Sequence, residues 1–415
     1  MQWASAVSDS AQFDQAVAAV AHDIAAQMQG YAIDLALAFV SPHHAAHFLE
    51  LPAAVARAMP HRTLVGCSAG GVIGGGHEVE QRPGLAVVAA HLPEVTVTPI
   101  HMDGDALPDL DGSPRSWQEA IGVPADPTPH FIVLVDPFTF PAEDFLAGLD
   151  YAYPESRKVG GIASAAQRPG QNVLYAAGQV HRAGAVIVAL AGNLTIDTVV
   201  AQGCRPIGKP MLVTRAERNI LLKLDGKPPL EVIQELVEEL SAADRRLAQR
   251  ALFLGIVTDA LITEPRAGDF LVRNIIGVDP ERGALAIGEI LEEGQLVQFQ
   301  LRDAAAAAED LRELLGRAGA APAGAAPADA APTGDTPAHP VPRGALLFSC
   351  LGRGVGLFGR PDHDTELFRR RFEGVPVGGF FANGEIGPVG ASTHLHGYTS
   401  AFGIFRPLRP STEAD

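Results

Sequence analysis

The chain has 415 residues, 47% of them hydrophobic and 19% charged, with a formal net charge of −17 at pH 7. That length exceeds one ordinary core and predicts two or three domains, and the composition excludes a disordered chain. The acidic balance argues against broad binding to nucleic acid or anionic membranes. Three scattered cysteines, Cys67, Cys204 and Cys350, supply neither a disulfide framework nor a zinc cluster. The opening MQWASAVSDSAQFD has no basic and apolar leader, and no apolar run approaches the ~20 residues that span a bilayer. A cytoplasmic location without membrane or nucleic-acid partners is the expectation.

In chain order, Phe13 to Met28 carry apolar residues at helical spacing and predict a lead-in helix, within a segment 1–29. DLALAFV reads as a strand. Ser41-Pro42 then reads as a cap opening a helix to about Met59, which places His43, His44 and His47 on a solvated face. RTLVGC is a strand ending in a glycine-rich turn, GLAVVAAHL another, and Phe131 to Asp136 a fully apolar one. A helix from about Pro141 and the strand KVGGIAS follow. The order strand, helix, Val-Gly turn recurs three times, from Leu35 to Gly66, from Ile132 to Gly160 and from Leu346 to Gly378. Each spacing has the size of a βαβ unit, as any α/β protein shows and as a duplication would also give. The expected fold is therefore α/β of mixed α+β character, in two domains that each have a central sheet flanked by helices. The first spans 30–219. The second spans 220–405 and carries four successive strands from LFLGIVT to QLVQFQLR. Residues 319–343, rich in Ala and Pro, read as a disordered loop inside it, and 406–415 as a flexible tail.

The most informative stretch is Leu347 to Pro388. An apolar run ends at Cys350 and turns on Gly352-Arg353-Gly354. A second run ends at Gly378-Gly379 and leads to Phe381, Asn383 and Glu385. Glycines at strand ends let a backbone approach a ligand, and a few polar groups fix its orientation. With LDGKPPLEVI, RNIIGVDPERGALAIGE and VQFQLRD, the segments FSCLGRG and GGFFANGEIGP resemble the C-terminal domain of the FIST family. VGCSAGGVI and VGGIAS resemble its N-terminal domain. The resemblance implies a sensory module for a small, amino-acid-like ligand, with a possible signalling partner, more than an enzyme.

The candidate ligand-binding residues are Cys67, Ser68, Gly160, Gly161, Cys350, Arg353, Gly379, Phe381, Asn383 and Glu385. Arg353 and Glu385 are the leading pair. They either clamp the two ends of a zwitterion or pair with each other and rivet two loops. Gly66-Cys67-Ser68-Ala69-Gly70 fits a nucleophile elbow only if a helix follows the serine, and the glycine-rich VIGGGHEVEQRPG leaves no room for one. Cys350 is the candidate nucleophile of an alternative enzyme reading, its thiolate favoured by a nearby arginine. It is otherwise a small buried hydrophobe, and a pocketless interaction scaffold is a third reading. His394 and His396 have strand spacing but no evident third metal ligand. Arg369 to Arg371 read as a solvated helix face. Gly352, Gly354 and Gly356 give G-x-G-x-G rather than a dinucleotide fingerprint. No cofactor and no metal are expected.

Overall fold

The structure, a computed structural model, describes residues 1–258, 261–262, 264–265, 268–318 and 340–409. Residues 319–339 of the expected Ala/Pro loop, and 410–415 of the expected tail, lie outside them.

Three units of one design dominate the chain. The first runs through strand Ile33–Val40, a 3-10 turn Pro42–His47, helix Leu51–Ala58 and strand His61–Ser68. A hairpin, Gly71–Gly74 with His77–Glu80, comes next, followed by strands Leu85–His91 and Val95–Met102. The second repeats this with Pro129–Val135, helix Ala142–Ala152, Lys158–Ile162, the hairpin Leu174–Ala176 with Gln179–His181, and strands Ala185–Gly192 and Thr195–Ala201. The third has Gly344–Cys350, helices Gly354–Phe358 and His363–Arg371, Val377–Ala382, the hairpin Glu385–Val389 with Ser392–His396, and Ser400–Arg406. In each unit the strands flanking the helix are parallel neighbours, and the next long strand returns antiparallel beside the first.

The units exchange elements in a ring. The first unit's hairpin pairs with the third unit's sheet, the second's with the first, and the third's with the second. The last strand of the first unit joins the second sheet, and that of the second unit joins the third. The strand that completes the first sheet in this way is Gln2–Ser8. Three six-stranded sheets of equivalent order result.

Close backbone packing fixes the repeat. A Cβ added at Gly66, Gly160 or Gly379 would lie 1.9 Å from the carbonyl oxygen of Ala38, Val133 or Leu347 on the parallel neighbour. These three glycines are equivalent, so the third repeat registers on Gly379, one residue beyond the Gly378 read from sequence. The inner faces of all three sheets share one core, with Leu37, Phe39, Ile132, Leu134, Leu346, Phe348 and Phe380 among its members. Helices cover the outer faces: Phe13–Met28 and Leu51–Ala58 on the first, Pro114–Ile121 and Ala142–Ala152 on the second, Ala304–Arg317 and His363–Arg371 on the third.

A separate seven-stranded antiparallel sheet is built from residues 204–302. Helices Pro229–Glu239 and Ala242–Ala251 pack on it. Its last strands are the four expected from LFLGIVT onward, and Asp279 Oδ1 accepts from the Glu281 and Arg282 amides in the Asp279–Gly283 turn. The expected boundary at 219/220 falls in the turn between Met211–Glu217 and Ile220–Leu224, which pair as a hairpin. Two local expectations change. Segment 1–29 holds the strand Gln2–Ser8 as well as its helix. The helix expected from Pro42 to Met59 is broken between His47 and Leu51, and His44 is buried 5.8 Å from Phe13 rather than solvated.

Candidate functional site

The three glycine turns meet where the units' parallel strands end. The Gly70 amide donates to Ser164 Oγ at 2.9 Å, Ser164 Oγ donates to the Phe381 carbonyl, and the Asn383 amide donates to the Ile162 carbonyl at 3.1 Å. These turns, which the sequence offers as candidate site elements, lie together, and most of the residues named on them serve packing. Gly160 and Gly379 admit a neighbouring strand, and Gly161 faces Ala382 and Phe380. Cys67 is buried in the central core, where burial pushes its thiol far up. The Ser68 hydroxyl, fully buried, accepts from the Val173 amide at 3.0 Å, and a strand rather than a helix follows it. Phe381 belongs to the outer core of the third unit, and Asn383 is exposed.

The other three candidates lie together at the end of strand Gly344–Cys350. Arg353 is fully buried and grips Asp364 bidentately, Nε to Oδ2 at 2.8 Å and Nη2 to Oδ1 at 2.9 Å. Asp364 also accepts from Ser349 Oγ at 3.0 Å and lies 2.9 Å from His363 Nδ1. The expected Arg353–Glu385 rivet is therefore replaced by an Arg353–Asp364 pair. Glu385, also fully buried, turns Oε2 to the amide and hydroxyl of Thr399 at 3.0 and 2.7 Å, and its Oε1 has no hydrogen-bond partner among the described residues. Burial pushes its carboxyl up to about 8 against the Thr399 bonds, which pull it down. Cys350 lies beside it. Burial first, and the Glu385 charge second, push the thiol up to about 12, the reverse of the activation expected from a nearby arginine.

Among the described residues, Arg353 Nη1, Arg302 Nε and Ser400 Oγ are also buried without a hydrogen-bond partner. Arg302 comes from the seven-stranded sheet, stacks over Tyr398 at 4.6 Å and donates Nη2 to the Gly352 carbonyl at 2.7 Å. Arg353 Nη1 faces Gly203, where an added Cβ would lie 2.9 Å away. Asp310 lies near this arginine and is occupied by the Gly203 amide at 3.1 Å.

The repeat supplies an internal control. Through the aligned registers, Ser349 occupies the position of Val40 and Val135, and Ser400 that of Leu85 and Ala185. Glu385 lies one residue before the partner of Gly160, as Val72 and Leu174 lie one before the partners of Gly379 and Gly66. All six sibling residues are buried, as are Ser349, Ser400 and Glu385. The third unit is polar at three adjoining buried positions where its siblings are apolar. Burying polar groups costs stability unless they are paired; Ser349 is paired with Asp364 and Glu385 Oε2 with Thr399, which leaves Ser400 Oγ and Glu385 Oε1 over.

Behind this cluster the first unit's hairpin adds two carboxylates. Glu78 Oε1 accepts from the amide and hydroxyl of Thr365 at 2.9 and 3.2 Å, and burial followed by the Asp364 charge pushes it up to about 8. Glu80 Oε1 accepts from the Val355 amide at 2.9 Å. Sequence reading missed Glu78, Asp364, Arg302 and Ser400. The signal available was a run of polar residues, His363-Asp364-Thr365, on a helix whose Leu367 and Phe368 face the core. Two open cavities of about 480 Å³ each lie elsewhere, at the opposite end of the first unit's strands, and share His61 and Arg62. Among the described residues, no cluster of three or more His, Cys, Asp or Glu is placed to hold a metal. His396 instead hydrogen-bonds the Gly387 carbonyl at 2.9 Å. Among the same residues, no helix is long and apolar enough to cross a membrane.

Family models match nearly the whole chain, the FIST N domain at residues 34–227 and the FIST C domain at 229–388. An uncharacterized protein of Mycobacterium tuberculosis is 36% identical over 403 residues, covering 96% of this chain and 98% of its own length. An uncharacterized protein of Mycobacterium bovis is 36% identical over 384 residues, covering 91% and 92%. FIST domains are sensory and signal-transduction modules, and the family is associated with small-ligand binding. With both domain models accounted for in order along it, the chain belongs to the FIST family.

Proposed function

We propose that this chain is a cytoplasmic sensory protein that takes a small polar metabolite, an amino acid or a related acid, into the cluster around Cys350. One observation carries the reading: Ser349, Ser400 and Glu385 are polar where the two sibling units bury apolar residues. Unspent donors come from two parts of the fold, Arg302 from the seven-stranded sheet and Arg353 from the third unit, and the two lie close enough to feel each other's charge. A ligand held by both arginines ties the sheet to the three-unit body and changes how firmly the two are held together. That is how binding reaches a signalling partner.

The test restores the siblings' chemistry. Glu385→Val with Ser400→Ala reproduces residues that the fold already accommodates at equivalent positions. Native mass spectrometry and calorimetric titration of the twenty amino acids and common organic acids are compared between this variant and the parent. The expected result is a folded variant that has lost the ligand bound by the parent. A folded variant with unchanged binding overturns the assignment of the site.

A further inference from the structure

The four unspent polar atoms around Cys350 are not chemically even-handed. Arg302 Nε and Arg353 Nη1 carry hydrogens and no lone pair, so each can only donate. Ser400 Oγ donates or accepts as a partner requires. Glu385 decides the balance. Its Oε2 already accepts two bonds from Thr399, and no Lys, Arg or His nitrogen is ion-paired to the carboxyl among the described residues. The side chain is fully buried beside the uncharged Cys350 thiol. A buried carboxyl in such surroundings keeps its proton even against the Thr399 bonds, the Arg353 charge and the Cys350 contact that pull the other way, in line with the net upward shift that burial gives it. The proton sits on Oε1, the oxygen left free, and Oε1 becomes a donor aimed away from Thr399.

The acidic groups nearby do not reverse this. Asp364 is consumed by Arg353, Ser349 and His363. Asp310 accepts from the Gly203 amide through Oδ2 and lies beside the Arg353 charge, and Glu78 accepts from Thr365. A lining dominated by donors is complemented by a ligand that offers acceptors, whereas an ammonium group would meet three donors and the Ser400 hydroxyl alone to accept from it.

Resting on the reading of this cluster as the ligand site, we propose that its ligand is a small carboxylate with a neutral acceptor oxygen beside it, of the 2-oxo or 2-hydroxy acid class, rather than an amino acid. The carboxylate lies between Arg302 and Arg353, as guanidinium geometry favours. The neighbouring oxygen accepts from the Glu385 carboxyl and the Ser400 hydroxyl.

The experiment is calorimetric titration of the full chain at pH 6.5 with three matched sets: pyruvate, lactate and alanine; 2-oxoglutarate, 2-hydroxyglutarate and glutamate; 2-oxoisocaproate, 2-hydroxyisocaproate and leucine. The expected result is that the oxo or hydroxy member of one set binds about tenfold or more tighter than its amino counterpart. Glu385→Gln, whose amide still donates where the carboxyl did, keeps that affinity within about threefold, whereas Ser400→Ala weakens it about tenfold. An amino acid binding as tightly as its oxo and hydroxy partners overturns the ligand class while leaving the sensory site in place. Should every acid and amino acid in the panel bind the Glu385→Val, Ser400→Ala variant as they bind the parent, both the ligand class and the site are overturned.

Discussion

Replacing Glu385 by Gln should make the protein more stable, and by an amount that grows with pH. An ordinary glutamate titrates near 4.5, and burial places Glu385 at about 8 in the folded chain. Below pH 4.5 the group holds its proton folded or unfolded and contributes no pH dependence. Between the two values the unfolded chain releases a proton that the folded protein keeps, so raising pH favours unfolding. Above about 8 that loss is complete. Each pH step within the window costs about 1.4 kcal/mol, which sets a ceiling of about 5 kcal/mol. Relaxation around a buried charge lowers the observed figure to about 2–4 kcal/mol. Gln matches the protonated carboxyl in shape and can accept the same Thr399 bonds through its oxygen. Wild type and Glu385→Gln should therefore melt nearly together at pH 5 and separate by pH 8.5, with the variant higher. Glu78, which carries the same upward shift, is present in both proteins and cancels. Urea or thermal melts at pH 5, 7 and 8.5 measure the difference. Parallel curves, or a less stable variant at pH 8.5, would show that Glu385 is ionised and satisfied in the folded protein, and the reasoning about its free oxygen would fail.

The Arg353–Asp364 pair should behave as a buried ion pair. Arg353→Met alone leaves Asp364 charged and unmatched and should cost about 3–5 kcal/mol, with part of the loss recovered in Arg353→Met with Asp364→Leu. Additive losses in that double-mutant cycle would refute the pairing. Gly379→Ala, Gly160→Ala and Gly66→Ala each drive a methyl to 1.9 Å from a neighbouring carbonyl oxygen, and each should cost about 3 kcal/mol or more. Gly316→Ala, in open space within helix Ala304–Arg317, should gain about 0.5–1 kcal/mol; equal melting of all four variants would contradict the packing described. Cys350, its thiol pushed up to about 12, should be alkylated at pH 8 about a hundredfold more slowly than an unperturbed thiol. Rapid labelling followed by mass spectrometry would point instead to a reactive cysteine.

Much of the scaffold was legible in local pattern. The three strand–helix–strand orders appear as apolar runs around an amphipathic stretch, each closed by small residues, and the structure places them as equivalent units. The off-by-one at Gly378 arose because two adjacent glycines satisfy the motif equally. Only the facing carbonyl of Leu347 distinguishes Gly379. The exchange of hairpins left no mark in the sequence. A hairpin's pattern records that its strands are half-buried, not which sheet they join. The site was half legible for a related reason. Arg353 and Glu385 stood out because glycine turns flank them. Asp364 reads as an ordinary charge in a polar helix, and only its burial against Arg353 reveals its role. Glu385 looked like half of an ion pair because opposite charges near two turns invite that inference. The register that puts Thr399 opposite its carboxyl lies fourteen residues away.

The ring of exchanged hairpins makes each unit a tenant of its neighbour. The His77–Glu80 strand, which brings Glu78 and Glu80 to the third unit's helices, hangs from Gly71–Gly74, which pairs with Val377–Ala382 and follows in the chain on His61–Ser68, the strand that the second unit's hairpin joins. A displacement of Thr365 or Val355 is therefore felt along His61–Ser68, then along Leu174–Ala176, and by Glu385–Val389 on the second sheet it returns to where it began. Such a loop has no slack end in which strain can be dissipated. It resists small disturbances at any one unit, and when it yields, all three sheets must give together.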